Sequence, residues 1–298
     1  MICSIDIGGT MVKYGVITQT GKIVEKSLVK NNAYSKDSLI EILRRVIDEM
    51  REKYLIEGIA FTIPAITDSN TGEVLSEGSM PFLLGENVKE ALKKHYNLPI
   101  HSENDGNCAA LAEAWIGAGQ GKSDLAVVVI GTGVGGAVLK DGRIHSGNNF
   151  LAGEFGYMFQ TFDFESKKFE SWSDCGSVLT LSDKMSQHLN REVSGKEVFT
   201  LAESGDAYAC GLIDDFYNSN AIGFFNIQYM YDPEVIIIGG GVSERQDFLI
   251  ELEKRMDLIF ECNPIATKRP ILEKTMYGND ANLIGAAYHF IQHEAITN

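Results

Sequence analysis

The sequence predicts an α/β protein built from two similar domains, and three features carry that expectation. Short runs rich in Ile and Val alternate with helical periodicities along the whole chain. A block of strand, glycine loop, strand, turn and strand opens the chain and starts again at Asp124, about 120 residues later. No Pro-rich or Ser-rich linker separates the copies, which suits domains packed on a hinge better than domains tethered by a string. A tandem repeat of this size suggests two domains facing each other across a cleft. The expected boundaries are 1–117 for the first domain and 118–280 for the second, with a helix over 281–298 crossing back to complete the first.

The first copy reads as strands at Ile2 to Ile7, Met11 to Ile17 and Lys22 to Val29. Between them fall the turns Gly8-Gly9-Thr10 and Gln19-Thr20-Gly21. Leu39, Leu43, Val46, Ile47, Met50 and Tyr54 then recur at helical spacing, with Ser35 or Asp37 as the cap. Residues 58–63 form an apolar strand that ends before Pro64, and residues 86–96 read as helical. Pro99 to Ser102 is extended, and Asp105 to Trp115 is an alanine-rich helix stopped by Gly117 and Gly119. In the second copy Leu125 to Ile130 and Ala137 to Lys140 are strands around the glycine turn Gly131 to Gly136. Asp141-Gly142 then turns the chain into a third strand toward His145. No period is legible from 157 to 176, where Phe162, Phe164, Phe169 and Trp172 read as core or as a subunit contact. Helices are expected over 177–190 and 205–231. A buried strand, Val235 to Ile238, runs into Gly239-Gly240-Gly241, and a last helix covers 281–293. His289 and His293, four apart on that helix, read as surface residues of a frayed end.

Composition narrows the function. Apolar residues make up 44% of the 298, enough to bury a sizeable core. The balance of 26 basic to 41 acidic residues, net −15, argues against a nucleic-acid or anionic-membrane partner, each of which needs a basic patch. A phosphate compound remains open, because backbone N–H groups hold one locally on an acidic protein. The five cysteines (Cys3, Cys108, Cys175, Cys210, Cys262) are scattered and never spaced as CxxC, the pattern of free thiols in a reducing cytoplasm. The opening MICSIDIGG lacks a basic n-region, so no signal peptide is expected. No apolar stretch approaches the ~18–20 residues that span a bilayer. The expectation is a cytoplasmic protein.

Four segments could carry chemistry. Asp6-Ile7-Gly8-Gly9-Thr10 ends one strand and turns into the next. It is either a plain hairpin or a loop whose backbone approaches a phosphate, with Asp6 holding a hydrated Mg²⁺. Gly131 to Gly136 stands at the equivalent place in the second copy, which turns are hard pressed to explain alone. Neither loop has the GxxxxGK spacing of a P-loop, and neither opens a helix as a Rossmann fingerprint does. Glu103-Asn104-Asp105-Gly106-Asn107 joins an extended run to a helix. Either Asn104 or Asp105 simply caps that helix, or the carboxylate takes a proton from a substrate hydroxyl that the Asn104 amide fixes. Glu154, between Gly153 and Phe155, is a solvated loop residue or an acceptor for sugar hydroxyls. Val235 to Ser243 is a strand-to-helix turn or a seat for a purine or its ribose.

In this order, and over essentially the whole chain, these segments resemble the ROK family (repressors, open reading frames and kinases) of the actin and hexokinase superfamily. DIGGT at 6–10 and GTGVGGA at 131–137 are similar to its two phosphate motifs, ENDGNCAALAE at 103–113 to its catalytic segment, and IIIGGGVS at 236–243 to its adenosine motif. The resemblance implies two ribonuclease H-like (actin/hexokinase-type) domains flanking an ATP/sugar cleft. It implies ATP-dependent phosphorylation of the 6-hydroxyl of a hexose unit, with Asp105 as general base. Asn104, Asp105 and Glu154 would bind the sugar. Asp6, Gly8, Gly9, Thr10, Thr132, Gly133 and Gly240 would contact ATP, its phosphates or its Mg²⁺, Asp6 reaching the metal through water. A homodimer is expected, since family members are often dimers.

Three departures from the family pattern shape the substrate expectation. Tyr157 stands where many members carry a histidine that touches sugar and ligates zinc. The zinc segment CxCGxxGCxE is reduced to Ser173-Asp174-Cys175-Gly176-Ser177-Val178, so no zinc is expected, and the Glu that closes it at the anomeric side of the sugar is missing. The helix-turn-helix that family repressors carry before the first phosphate strand is not expected here, since that strand starts at residue 2. Zinc-less relatives with a segment like FGYMF resemble β-glucoside kinases, which makes β-glucosides such as cellobiose the leading substrate. N-acetylmannosamine or glucose is the alternative. A catalytically idle sugar sensor is the rival from another class, and retention of Asp105 and both phosphate loops counts against it.

Overall fold

Near-continuous apolar runs and turn chemistry build the first sheet from its centre outward. Ile2–Ile7 (β1) and Met11–Ile17 (β2) pair antiparallel, and the Gly8 N–H donates to the Met11 carbonyl (2.9 Å) across the turn. Ile23–Lys30 (β3) adds outside β2. Lys36–Lys53 (α1) starts at a reciprocal cap, Ser35 Oγ accepting from the Ser38 N–H and Ser38 Oγ from the Ser35 N–H. This crossover brings Gly58–Ile63 (β4) back parallel to β1, and Val88–Lys93 (α2) leads to Ile100–Asn104 (β5), parallel to β4. Asp105–Ile116 (α3) follows directly. The sheet order is β3-β2-β1-β4-β5.

The second half repeats the pattern. Leu125–Ile130 (β6), Val134–Lys140 (β7) and Arg143–Ile144 (β8) form an antiparallel meander. Its Asp141-Gly142 turn has both residues at positive φ (52° and 72°), matching the right-handed twist of the strands. Next come a ribbon of Phe159–Asp163 (β9) and Lys168–Ser171 (β10), then four helices: Trp172–Gly176 (α4), Val178–Leu189 (α5), Gly195–Glu203 (α6) and Ala207–Tyr231 (α7). Val235–Gly239 (β11), Phe248–Cys262 (α8) and Leu272–Lys274 (β12) complete it. The order β8-β7-β6-β11-β12 reproduces that of the first sheet, strand for strand and pairing direction for pairing direction. The repeat in the sequence is a repeat in the fold.

This computed structural model describes residues 1–297. The chain forms two compact units, one of Met1–Gly121 with Ser146–Leu151 and the chain from Met276 on, the other of Lys122–His145 and Ala152–Thr275. The closing helix Ala281–Thr297 (α9) therefore belongs to the first unit. There Leu283, Ala286, Ala287 and Phe290 pack on Ile2, Ile17, Ala60 and Cys108, while α1 and α2 cover the sheet's other face through Leu39, Leu43, Val46 and Val88. Buried Glu113 ties the chain's exit to its return: Oε2 accepts from the Ala118 N–H (3.0 Å), Oε1 from those of Met276 and Tyr277 (2.9 and 3.0 Å). Among the described residues no helix is long and apolar enough to cross a membrane.

Several local expectations change. The segment 157–176 is not irregular but holds β9, β10 and α4. Trp172 is core, whereas Phe164 is 83% exposed and Phe162 and Phe169 are exposed too. The second glycine turn is shorter than expected, because Gly135 and Gly136 lie inside β7. Gly136 is there for close packing, since a Cβ would sit 2.2 Å from the Val127 carbonyl and 2.7 Å from the Phe155 ring. His289 is not a surface residue. It is 4% exposed, and its ring packs against His101 and His293.

Candidate active site

In the first unit the β1–β2 turn presents Gly9 and Thr10 to solvent, with Gly8 half-buried behind them. Asp6, near the end of β1, is held from three sides. Its Oδ1 accepts from Thr62 Oγ1 and Asn282 Nδ2 (3.0 Å each), and its Oδ2 faces Lys13 Nζ at 3.3 Å. Lys13 also donates to the Asn279 carbonyl. With Oδ1 doubly engaged and Oδ2 only loosely paired, Asp6 suits a water-mediated role toward Mg²⁺, which keeps several of its own waters.

The β5–α3 junction divides its labour between adjacent residues. Asn104 caps α3, with Oδ1 accepting from the Asn107 N–H (3.1 Å) and Nδ2 donating to the Ala65 carbonyl (3.1 Å). Asp105 is the first helical residue, and its Oδ1 accepts from the Gly106 N–H (2.9 Å). A carboxylate here sits at the positive end of the helix dipole. Burial pushes the Cys108 thiol upward, and the charges of Glu103, Asp105 and Asp6 add to that push.

In the second unit the β6–β7 turn holds Thr132 exposed and Gly133 beside Ser173 Oγ. Ser173, where the family pattern would place a zinc ligand, accepts from the Val134 N–H (3.0 Å). Glu154 precedes a single 3₁₀ turn, Phe155–Tyr157, and burial alone pushes its carboxyl above the usual range. Gly153 fixes that turn against β7: its φ is +97° and a Cβ would lie 2.7 Å from Ala137 Cα. Gly240 has φ +93°, and a Cβ there would lie 2.0 Å from the Ile130 carbonyl, so only glycine fits. Gly133, Glu154 and Gly240 thus surround the β6–β7 end of one sheet, as Asp6, Asn104 and Asp105 belong to the corresponding end of the other.

Residue spacing alone leaves Lys13, Thr62, Asn282 and Glu103 without a role. Lys13 and Glu103 had a signal, being charges inside buried strands. Asn282 had none, since its partner Asp6 is 276 residues away.

Comparison with known proteins adds a consistent picture. The model of the ROK family matches residues 2–293. The chain is 35% identical over 298 residues to a β-glucoside kinase of Listeria monocytogenes, covering 98% of each chain. A Streptococcus pneumoniae ROK family protein solved in complex with sucrose superposes with a TM-score of 0.90 at 32% identity, covering 99% of both chains. A Listeria monocytogenes protein provisionally described as an N-acetylmannosamine kinase gives 0.88 at 33% identity, covering 98% of this chain and 99% of its own.

Proposed function

The chain belongs to the ROK family and is a carbohydrate kinase, and on that premise we propose that it transfers the γ-phosphoryl group of ATP to the 6-hydroxyl of a β-glucoside such as cellobiose. The observation that carries the substrate assignment is the near full-length kinship to a β-glucoside kinase. Asn104, Asp105 and Glu154 are assigned to the sugar, and Asp6, Gly8, Gly9, Thr10, Thr132, Gly133 and Gly240 to the nucleotide. Mg²⁺, brought in with ATP and held through water by Asp6, would supply charge neutralisation for the transferring phosphoryl group. Asn104 orients the 6-hydroxyl, and Asp105 takes its proton as that oxygen bonds to the γ-phosphorus. The bond from phosphorus to the bridging oxygen breaks, leaving ADP. The chain's task is positioning and exclusion of water, the competing nucleophile.

Small residues favour a glycoside. Ser173, Gly176 and Ser177 occupy the stretch where the family pattern has its anomeric-side Glu, and a relative binds sucrose, whose glucose unit has its anomeric oxygen substituted. A site lacking that acceptor loses its selection for a free anomeric hydroxyl. Cellobiose is therefore phosphorylated with a kcat/KM at least equal to that of glucose in a coupled ADP assay. Good turnover of N-acetylmannosamine with none of cellobiose transfers the assignment to the second reading, which the N-acetylmannosamine kinase-like neighbour favours.

The protein is further proposed to work without zinc. Tyr157 is 76% exposed and Ser173 is occupied with the Val134 N–H, so neither serves as a ligand. Elemental analysis should find less than one zinc per chain, and chelation of Mg²⁺ should abolish turnover. One tightly held zinc would refute the assignment of the segment around Cys175. A cytoplasmic homodimer completes the proposal. Its free thiols suit the location, and sedimentation tests the dimer.

A further inference from the structure

We propose that Glu103 is a positioning residue for the phosphoryl-acceptor site, holding Asn104, and through it Asp105, in register with the loop that follows β4. The inference rests on the roles assigned above to Asn104 and Asp105, and goes beyond them to the group that aims both.

Glu103 is the last residue of β5 before the cap, so strand alternation turns its side chain away from that of Asn104 and into the interior, where it is 2% exposed. A buried carboxylate is costly unless every lone pair has a use. Here Oε1 accepts from the Asn104 N–H (2.7 Å) and from Asn107 Nδ2 (3.0 Å), and Oε2 accepts from Ser69 Oγ (2.7 Å). One side chain therefore grips the capping residue, the first turn of α3 and the loop after β4. Asn104 closes the same ring from its other side, through Ala65. His289 of α9 backs the carboxylate, with Nδ1 at 3.7 Å from Oε2. Its Nε2 has no hydrogen-bond partner among the described residues. Burial pushes Glu103 above the usual carboxylate range and holds His289 well below the usual imidazole range. What the site uses is the acceptor geometry at Oε1 and Oε2, which a neutral side chain of the same shape also supplies.

Glu103→Ala and Glu103→Gln separate this role from bulk stability. In Gln the amide oxygen keeps the two N–H donors, and the Ser69 hydroxyl rotates to accept from the new NH₂. In Ala the Asn104 and Asn107 donors lose their acceptor and the catalytic segment is free to shift. A displacement of about 1 Å at a reacting group costs on the order of 10²-fold. The expected result is a loss of that order in kcat/KM for sugar in Glu103→Ala, with the KM for ATP within about twofold of wild type. Glu103→Gln restores activity to within several-fold. The inference is overturned if Glu103→Ala keeps its sugar kinetics, if the ATP KM rises in step with the sugar KM, or if Gln is as impaired as Ala. Amide exchange over residues 103–108 gives a readout that needs no sugar. Exchange should accelerate in Ala but not in Gln, with β2 and β3 unchanged. Equal protection in all three proteins overturns the positioning role. A wild type that phosphorylates no sugar, yet shows the exchange difference, overturns the proposed function alone.

Discussion

Asp105→Asn lowers turnover by on the order of 10²–10⁴ and leaves the fold and nucleotide binding intact. The amide cannot take the proton of the attacking hydroxyl, which is the step assigned to this carboxylate. The structure explains why the substitution is clean. The N-cap of α3 is Asn104, which the substitution leaves in place. The bond that the carboxylate accepts from the Gly106 N–H passes to the amide oxygen. Loss of a negative charge from the first turn costs about 0.3–1 kcal/mol, too little to unfold the domain. Single-turnover measurement at saturating sugar and ATP reads the chemical step directly. A variant that keeps more than about a tenth of the wild-type rate there removes Asp105 from the role of base.

Gly285→Ala should damage the first unit more than its conservative appearance suggests. A Cβ at 285 would lie 1.7 Å from the Cys108 carbonyl oxygen and 2.4 Å from its carbon, both backbone atoms that no rotamer change can move. The α9 helix would have to lift off α3. That separation would disturb the Ser4 Oγ bond to the Leu283 carbonyl (2.6 Å) and the reach of Asn282 to Asp6. Overpacking of this kind costs about 1–3 kcal/mol and sometimes more. Against it stands the gain of about 1 kcal/mol from alanine over glycine in a helix interior. With the 1.7 Å approach to backbone setting the cost at the upper end of that range, the clash should win by about 2 kcal/mol, a fall in Tm of roughly 4–8 °C at this domain size. Calorimetry giving an unchanged or higher Tm would mean that α9 does not approach α3 as described.

Much of the fold was legible because its signals are local. The apolar runs of β1 and β2, the spacing of Leu39, Leu43, Val46 and Ile47, and the Asp141-Gly142 turn each follow from the stereochemistry of a few neighbouring residues. The ribbon at 159–171 was illegible for the same reason. Its aromatic residues are exposed, so burial imposes no alternation, and its turn uses Lys167 at φ +55° in place of a glycine. Strand β12 is only three residues long and half-buried, too short to show a period.

By itself, then, the chain determined a repeated α/β fold and its two glycine turns, and it singled out Asp6, Asp105 and Glu154 as candidate carboxylates, since each depends on side-chain type at short range. Tertiary structure alone decided how those groups are held. Asn282 meets Asp6 across 276 residues, Ser69 meets Glu103 across 34, and Glu113 receives the chain at Met276 and Tyr277. It also decided that His289 is buried and that Asn104, not Asp105, is the cap. The reason is that most buried polar atoms take a hydrogen-bond partner wherever the packed chain supplies one, and sequence separation sets no limit on where that is.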